Sequence, residues 1–389
     1  MYKHLSKNNK LLVISDTGIV KTNEGFIAFG PVVIELNSLL QEFDEITWIG
    51  FLKKNQISNK SYIKVTNKKI KIITLKDVGG KSILSKSKII FYYPIMIFVI
   101  LKEILKNDKI HTRAPSNPAI IAVFLSFFFR RKKFWHKYAG SWIDKTSTFY
   151  DFQRKILKRL PKNSVVTING NFSNKKNIIS FENPCINEDD RKLGLKILEN
   201  KRLDTKINFC FVGGLTDQKG VDVLLEAFLE INSNRIGTIH FVGDGDKKEE
   251  YLNLAEKLKY KTNFHGFLDK NSIKEIYSKC HFLILPSKSE GFPKVVGEAM
   301  NFGCVPIVSD VSCINQYITH KKNGFLLFPI EVNQLKENIV NSINLDMMIY
   351  KYMIESNYKL SKKFTYLYYN KRIITEIFKK ELIVRKNFK

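Results

Sequence analysis

The segment SEGFPKVVGEAM, residues 289–300, carries two carboxylates, Glu290 and Glu298, eight positions apart around a Gly-Phe-Pro turn. Gly291 permits an unusual backbone angle and Pro293 suits the first position of a helix, so a helix is predicted to begin near residue 293. Eight residues of continuous helix span about 12 Å, whereas the carboxyl groups of glycosidases lie about 5 Å or about 6.5 to 9.5 Å apart. A cooperating acid/base pair is therefore disfavoured.

The spacing fits two anchors for different parts of one elongated ligand. Carboxylates accept hydrogen bonds from vicinal hydroxyls, and the free backbone N–H groups of residues 292–294 can face a diphosphate. Such a ligand would present a sugar at one end and a ribose at the other. The plain alternative is that Glu298 is a solvated helix residue and Glu290 an acid in a surface loop.

A second loop has the composition of a phosphate site. The strand-like segment INFCFV is followed by GGLTDQKG, residues 213–220, which opens a helix and carries Lys219. Helix N-termini and a lysine both attract phosphate oxygens. Glycine turns before helices are common, so this loop alone does not establish phosphate binding. The turn Gly243-Asp244-Gly245 is interpreted as structural.

Strand-like and helix-like segments alternate through most of the chain, which indicates an α/β fold with parallel sheets. Residues 1–185 are predicted to form one doubly wound domain and residues 186–359 a second, with a C-terminal helix over about 360–389 that packs back on the first. In the first domain a strand at 10–16 leads into a loop through Gly25 and a helix over 31–43. In the second, a helix from residue 221 buries Val221, Leu224, Leu225, Phe228 and Leu229. Ligands of such sheets bind at the carboxyl ends of the strands.

Composition limits the class of protein. The 389 residues are 44% hydrophobic and carry a formal charge of +27, which fits a folded protein with phosphate-bearing, anionic-lipid or nucleic-acid partners, or a lysine-rich composition bias. The apolar runs 89–101 and 119–129, the latter followed by Arg-Arg-Lys-Lys, are too short to span a membrane. The second run with its cations is interpreted as a core helix followed by a solvated turn or as a membrane-surface contact. Five cysteines without metal-like spacing predict reduced thiols and no structural metal. The basic N-terminus has only a short apolar stretch and lacks a signal-peptide core, which predicts a cytoplasmic location.

Over residues 208–327 the chain resembles the C-terminal domain of the retaining GT-B glycosyltransferases of family 4. The matching stretches are FVGGLTDQKGVDVLLEAF, HFVGDGDKKEEYLNLAEKL, SEGFPKVVGEAM and NGFLL, which include the E-x7-E motif of that family. The resemblance implies a GT-B architecture of two Rossmann-like domains facing a central crevice.

The resemblance also implies residue roles. Lys219 would contact the donor diphosphate, Glu290 the hydroxyls of the transferred sugar and Glu298 the nucleotide ribose. The remaining donor-binding residues are implied to be Gly213, Gly214, Gly291, Phe292, Pro293 and Lys294. One departure from the pattern is Gly214, where the family usually has an arginine, so another cation must replace it or donor binding is weaker.

The first half diverges more. His136 in WHKYAGSW resembles a family histidine that faces the donor sugar, and is a catalytic candidate together with Lys219 and Glu290; the alternative is a packed or solvated histidine. Arg113 and Gly25 are candidates on the acceptor side. The loop around Gly25 lacks the double glycine of the family.

These observations predict a retaining hexosyltransferase that moves a sugar from a UDP- or GDP-linked donor to a saccharide or lipid-linked saccharide in cell-surface polysaccharide synthesis. The nucleotide sugar is its co-substrate, and neither a metal nor another cofactor is expected. The protein would act in the cytoplasm or peripherally on the inner membrane face, with no nucleic-acid partner. Two alternatives are a nucleotide-sugar epimerase of the same fold and a non-catalytic basic module that binds membranes or nucleic acid.

Overall fold

The computed structural model describes residues 9–53, 61–78, 83–144, 147–203 and 206–378. The chain divides into two compact units, unit 1 formed by residues 1–181 and 370–389 and unit 2 by residues 182–369. The C-terminal helix predicted over about 360–389 is not one continuous helix: the helix Met347–Ser361 is followed by a 3₁₀ turn, Lys362–Phe364, and a second helix, Tyr366–Arg372. The part of the prediction beyond residue 378 lies outside the described residues.

Unit 1 is built on a nine-stranded sheet. The strands are β1 Lys10–Thr22, β2 Gly25–Phe29, β3 Glu45–Leu52, β4 Tyr62–Lys64, β5 Ile70–Lys76, β6 Lys109–Ala114, β7 Lys133–Tyr138, β8 Ser164–Ile168 and β9 Ile178–Ser180. Seven of them pair in parallel in the order β5-β3-β1-β6-β7-β8-β9. The C-terminal part of β1 also pairs antiparallel with β2, and β2 pairs antiparallel with β4.

Among the described residues of this unit, the helices that accompany the sheet are α1 Gly30–Leu39, α2 Ile83–Lys106, α3 Asn117–Leu125 and α4 Thr148–Leu157. Ser116 caps α3 by accepting a hydrogen bond from the N–H of Ala119, and Pro118 occupies the first turn, where its missing N–H costs nothing. The π-helical turn Ile373–Ile377 also belongs to this unit. Phe378, just after it, packs edge-on against Phe43.

Unit 2 holds a six-stranded parallel sheet in the order β12-β11-β10-β13-β14-β15. Its strands are β10 Ile207–Val212, β11 Ile236–Val242, β12 Lys261–Phe264, β13 Phe282–Leu285, β14 Val305–Ser309 and β15 Phe325–Leu327. Its helices are α5 Glu188–Asn200, α6 Val221–Leu229, α7 Lys248–Ala255, α8 Lys270–Lys279, α9 Lys294–Asn301, α10 Val332–Ile343 and α11 Met347–Ser361. The helix α12, Tyr366–Arg372, crosses from unit 2 into unit 1.

The structure corrects two local predictions. The strand predicted over residues 10–16 continues through a register shift to Thr22, and residues 22–25 form the turn of an antiparallel hairpin rather than an open loop. On α6, the predicted apolar stripe is buried from Val221 to Phe228, but Leu229 is exposed at the last turn. Leu229 is the last residue of the helix, and Ile231 shortly after it is buried again.

All five cysteines are buried free thiols. No helix among the described residues has both the length and the apolar character needed to cross a membrane. Within the same residues, no three His, Cys, Asp or Glu side chains are grouped as metal ligands.

Candidate active site

Two of the residues predicted to bind the donor meet at one edge of the unit 2 sheet. Lys219 ends a 3₁₀ turn, Asp217–Lys219, that follows β10, and Glu290 lies in the loop between β13 and α9. Because β10 and β13 are adjacent parallel strands, their carboxyl ends bring these loops together. The Nζ of Lys219 donates to Oε1 of Glu290, and both side chains are largely shielded from solvent. The site therefore holds a cation and a carboxylate in direct contact.

The two loops are also joined through their backbones. The N–H of Lys288 donates to the carbonyl of Gln218 at 2.9 Å. Gly220 has a φ of +69°, and a Cβ on it would lie 2.2 Å from the carbonyl oxygen of Pro286. Only glycine satisfies both the left-handed backbone and this close approach. The glycine at the start of α6 is thus required for the packing that positions Lys219.

Gly214 stands in open space, in contrast to its neighbours. A Cβ on Gly214 would have no contact nearer than 3.9 Å, whereas one on Gly243 would lie 1.8 Å from the carbonyl oxygen of Gly213. Gly243 and Gly245 therefore serve chain packing, as the sequence interpretation held. Nothing steric explains why residue 214 is a glycine.

The loop before α9 is anchored by an aromatic cluster. The ring of Phe292 is buried, with its centroid 4.7 Å from that of Tyr317 and 4.7 Å from that of Phe364, which is stacked parallel to it. Gly291 accepts a hydrogen bond from the Sγ of Cys313 at 3.4 Å. The Phe292 side chain faces the protein interior, so only its backbone is available to a ligand.

The second acid of the motif lies on the next helix. Pro293 is the N-cap of α9, which begins at Lys294, so the predicted helix start near residue 293 is confirmed. Glu298 is half-buried on α9 and accepts a hydrogen bond from the hydroxyl of Tyr277 at 3.4 Å. Burial raises the pKa of Glu298 from 4.5 to about 7, although the cations of Lys270 and Lys294 oppose the rise. A carboxyl group with this pKa changes charge near neutral pH.

His136 lies inside the unit 1 core. It is fully buried in β7, its Nδ1 is 2.8 Å from Oγ1 of Thr112, and its ring stacks on Phe134. Burial lowers its pKa from 6.5 to about 3, so the imidazole is neutral. The structure thus holds His136 as a buried, neutral side chain, and its catalytic role stays a prediction.

Arg113 and Gly25 occupy different parts of unit 1. Arg113 lies near the carboxyl end of β6 and donates to Oε1 of Glu35 at 2.9 Å. Gly25 forms the hairpin tip between β1 and β2 with a φ of +124° and open space around it. The structure gives Arg113 a buried partner at the strand ends and places Gly25 on an exposed turn.

A carboxylate that was not among the candidates predicted from the sequence lies at the centre of this arrangement. Glu35 on α1 is fully buried and accepts hydrogen bonds from Arg113 and from the Nζ of Lys137, the latter at 2.9 and 3.1 Å. Its only signal in the sequence is one acid within the apolar segment PVVIELNSLL. A buried carboxylate between two cations marks this strand edge as strongly polar.

Comparison with solved structures establishes the fold. HepE of Anabaena, solved with UDP, superimposes with a TM-score of 0.66 at 16% identity over 94% of this chain and 98% of its own. The apo form of the lipopolysaccharide outer core galactosyltransferase WaaB gives a TM-score of 0.67 at 15% identity over 95% and 99% of the two chains. These likenesses confirm the predicted α/β fold of GT-B type.

Curated relatives match a shorter segment. An uncharacterized glycosyltransferase of Methanocaldococcus jannaschii is 33% identical over 159 residues, 40% of this chain and 43% of its own length. The lipopolysaccharide glucosyltransferase WaaG of Escherichia coli K12 is 30% identical over 149 residues, 38% of each chain. The chain thus spans less than half the length of these relatives.

The segment that matches a known protein family contains the candidate site. The family model described as "Glycosyl transferases group 1" matches residues 196–360. This range contains both loops joined by Lys219 and Glu290, and all of α9. Residues 196–360 of unit 2 are therefore similar to the glycosyl transferases group 1 family.

Proposed function

We propose that the protein is a retaining glycosyltransferase that moves a sugar from a UDP- or GDP-linked donor to a saccharide or lipid-linked saccharide in cell-surface polysaccharide synthesis. The observation that carries the proposal is the contact between Lys219 and Glu290 at the carboxyl ends of β10 and β13. Lys219 is a side chain of the kind that binds phosphate, and Glu290 is one that accepts hydrogen bonds from sugar hydroxyls. Both lie inside the segment that matches the family. Glu298 adds a second carboxylate on the adjoining helix.

The chemistry of such a transfer is dominated by the departing diphosphate. Its developing negative charge is stabilised by fixed cations and dipoles, which lower the barrier without rearranging. Lys219 supplies the cation, and the N-termini of α6 and α9, neither of which has a side-chain cap, supply backbone N–H groups. Both helices begin at the edge of the sheet where the Lys219–Glu290 pair lies.

Each side chain of this ion pair can exchange its protein partner for a group of the donor. On donor binding, Lys219 would move to the diphosphate and Glu290 to the hydroxyls of the sugar, so the internal pair is replaced by two contacts with one ligand. Glu298 would accept hydrogen bonds from the ribose. The ligand keeps both charges partnered, which limits the desolvation cost of closing the site.

The relatives support this choice of substrates. HepE has been crystallised with UDP, with UDP and glucose and with UDP-glucose, and WaaG and WaaB bear names of lipopolysaccharide glycosyltransferases. We extend these substrate classes to the present chain. The proposal also includes transfer without a metal or other cofactor, in the cytoplasm or on the inner face of an anionic membrane.

The test is a thermal-shift screen of UDP-, GDP- and ADP-sugars followed by calorimetry with the ligand that stabilises the protein. Wild type should bind, Lys219→Ala and Glu298→Ala should bind at least about tenfold more weakly, and the exposed acid variant Glu226→Ala should match wild type. Failure of every nucleotide to stabilise wild type, or equal binding by all variants, would refute the site. Transfer is then measured with and without EDTA, and the anomeric configuration of the product is read by NMR.

A further inference from the structure

The helix α2 of unit 1 is apolar on both of its sides. Its inner side, including Met96, Ile100 and Ile104, belongs to the core. Its outer side repeats apolar residues at positions 91, 94, 95 and 98, the spacing of one helical stripe. Phe91 is 82% exposed and Phe98 is 65% exposed. A helix at a water-facing surface normally carries polar residues on that side, so this outer stripe calls for a partner.

A groove of about 360 Å³ opens between α2, α3 and α4. Among the described side chains that line it, the one polar atom is the hydroxyl of Tyr93, which donates to Oδ1 of Asn117 at 3.0 Å. The groove therefore presents hydrocarbon to an occupant. Its volume is at the lower end of the range of about 300 to 1,000 Å³ for small-molecule sites. It is lined by Tyr93, Ile97, Ile120, Ile121, Phe124, Leu125, Phe149 and Phe152.

Cations lie at the end of α2. The turn after α3 carries exposed Phe128 followed by exposed Arg130 and Arg131. The Nζ of Lys132 in the same turn is 3.2 Å from the carbonyl of Leu105, so this turn adjoins the last turn of α2. Neither arginine makes a hydrogen bond or ion pair with another part of the chain that the structure describes. Aromatic side chains beside unpaired arginines complement a surface of hydrocarbon and anionic headgroups.

We infer that the outer stripe of α2 and this turn dock on an anionic lipid bilayer, and that the groove between α2, α3 and α4 binds one hydrocarbon chain of a membrane lipid. A protein partner is disfavoured because protein interfaces carry about ten hydrogen bonds, whereas this groove offers almost no group that could form one. The surface lies wholly within unit 1. The inference rests on the membrane location included in the proposed function and deepens it, and failure of nucleotide binding in unit 2 would leave it standing.

The groove is tested with dansyl-labelled undecanoic acid below its critical micelle concentration. Ile97 lines the groove and Ile95 lies on the outer stripe of the same helix, so Ile97→Trp and Ile95→Trp form a matched pair. Wild type and Ile95→Trp should bind the probe, while Ile97→Trp should lose about tenfold or more in affinity because the indole fills the groove. Equal binding by the two variants, or no binding by wild type, would overturn the groove assignment.

A second matched pair guards against a variant that does not fold. On α4, Phe152 lines the groove and Tyr150 does not, so Phe152→Ser should weaken probe binding and Tyr150→Ser should not. Circular dichroism and thermal melting identify any variant that is unfolded. If both groove variants fold and still bind like wild type, the assignment fails.

The docking surface is tested by sedimentation with phosphatidylcholine vesicles, with and without phosphatidylglycerol. Wild type should bind the anionic vesicles about tenfold or more tightly than the neutral ones, and Phe98→Asp or Arg130→Glu should lose most of this binding. Met348→Asp removes an apolar side chain that is 78% exposed on α11 and should bind like wild type. Binding without preference for anionic vesicles, or equal binding by Phe98→Asp and wild type, would refute the docking surface.

Discussion

Replacing Glu298 with glutamine should make the protein more stable and its nucleotide binding weaker. The substitution keeps the shape of the side chain but removes its charge at every pH. Burial raises the pKa of Glu298 from 4.5 to about 7 in the folded protein. At about 1.4 kcal/mol per pKa unit, this rise of about 2.5 corresponds to about 3 kcal/mol by which the ionised carboxylate destabilises the folded state.

The sign of the pH dependence follows from the direction of the shift. Because the folded-state pKa lies above the unfolded-state value, the folded protein retains this proton at pH values where the unfolded chain has lost it. The stability contributed by the proton is complete below pH 4.5 and is lost as the pH rises through about 7. Glu298→Gln should therefore exceed wild type by less than about 1 kcal/mol near pH 5 and by about 3 kcal/mol near pH 8.

The assay is urea unfolding followed by far-UV circular dichroism. Tryptophan fluorescence does not serve, because Trp48, Trp135 and Trp142 all lie in unit 1. Buried histidines contribute a pH dependence of opposite sign. This contribution cancels when the unfolding free energy of wild type is subtracted from that of the variant. Glu226→Gln, at an exposed position, should differ from wild type by less than about 0.5 kcal/mol at any pH. A Glu298→Gln variant less stable than wild type near pH 8, or a difference that does not change with pH, would refute the reasoning.

Three other substitutions probe the remaining features. Gly214→Arg should tighten UDP binding about tenfold, since the position is open and a charged hydrogen bond contributes about 1.5 to 3 kcal/mol; calorimetry showing the same affinity for Gly214→Leu would contradict this. His136→Ala should cost about 2 to 3 kcal/mol of unfolding free energy in denaturant titrations and leave UDP affinity unchanged, whereas unchanged stability with lost affinity would favour the donor-facing role. Glu35→Gln should cost about 3 kcal/mol near neutral pH by the same measurement, against less than about 0.5 kcal/mol for Asp108→Asn on the exposed surface; equal effects would show that the buried pair is unimportant.

Local patterns in the sequence predict where the helices α6 and α9 of unit 2 begin. Glycine and proline mark where strands end and helices begin, as at Gly291 and Pro293 before α9. The placement of Glu290 in a loop and Glu298 on a helix follows from the same signals. These features depend on a few neighbouring residues, so one sequence is sufficient to predict them.

Features that depend on strand order are not predictable in this way. Lys219 and Glu290 are 71 positions apart, and they meet only because β13 pairs with β10 although β11 and β12 intervene in the chain. The burial of His136 has a similar origin. A strand buried on both faces lacks the alternation of polar and apolar residues that marks an exposed face. Its sequence therefore does not show that a polar residue such as His136 is buried. Glu35 likewise finds its partners 78 and 102 positions away.

The return of the chain through α12 has a consequence for how such a protein can be divided and recombined. Unit 2 is one uninterrupted stretch, residues 182–369, whereas unit 1 needs both ends of the chain. A gene segment for unit 2 can therefore be exchanged as an insert with two junctions, and a single cut cannot release an intact unit 1. The family match is confined to residues 196–360 and lies entirely within that insert. Exchanging it would replace the segment that matches the family while keeping both parts of unit 1 in one chain.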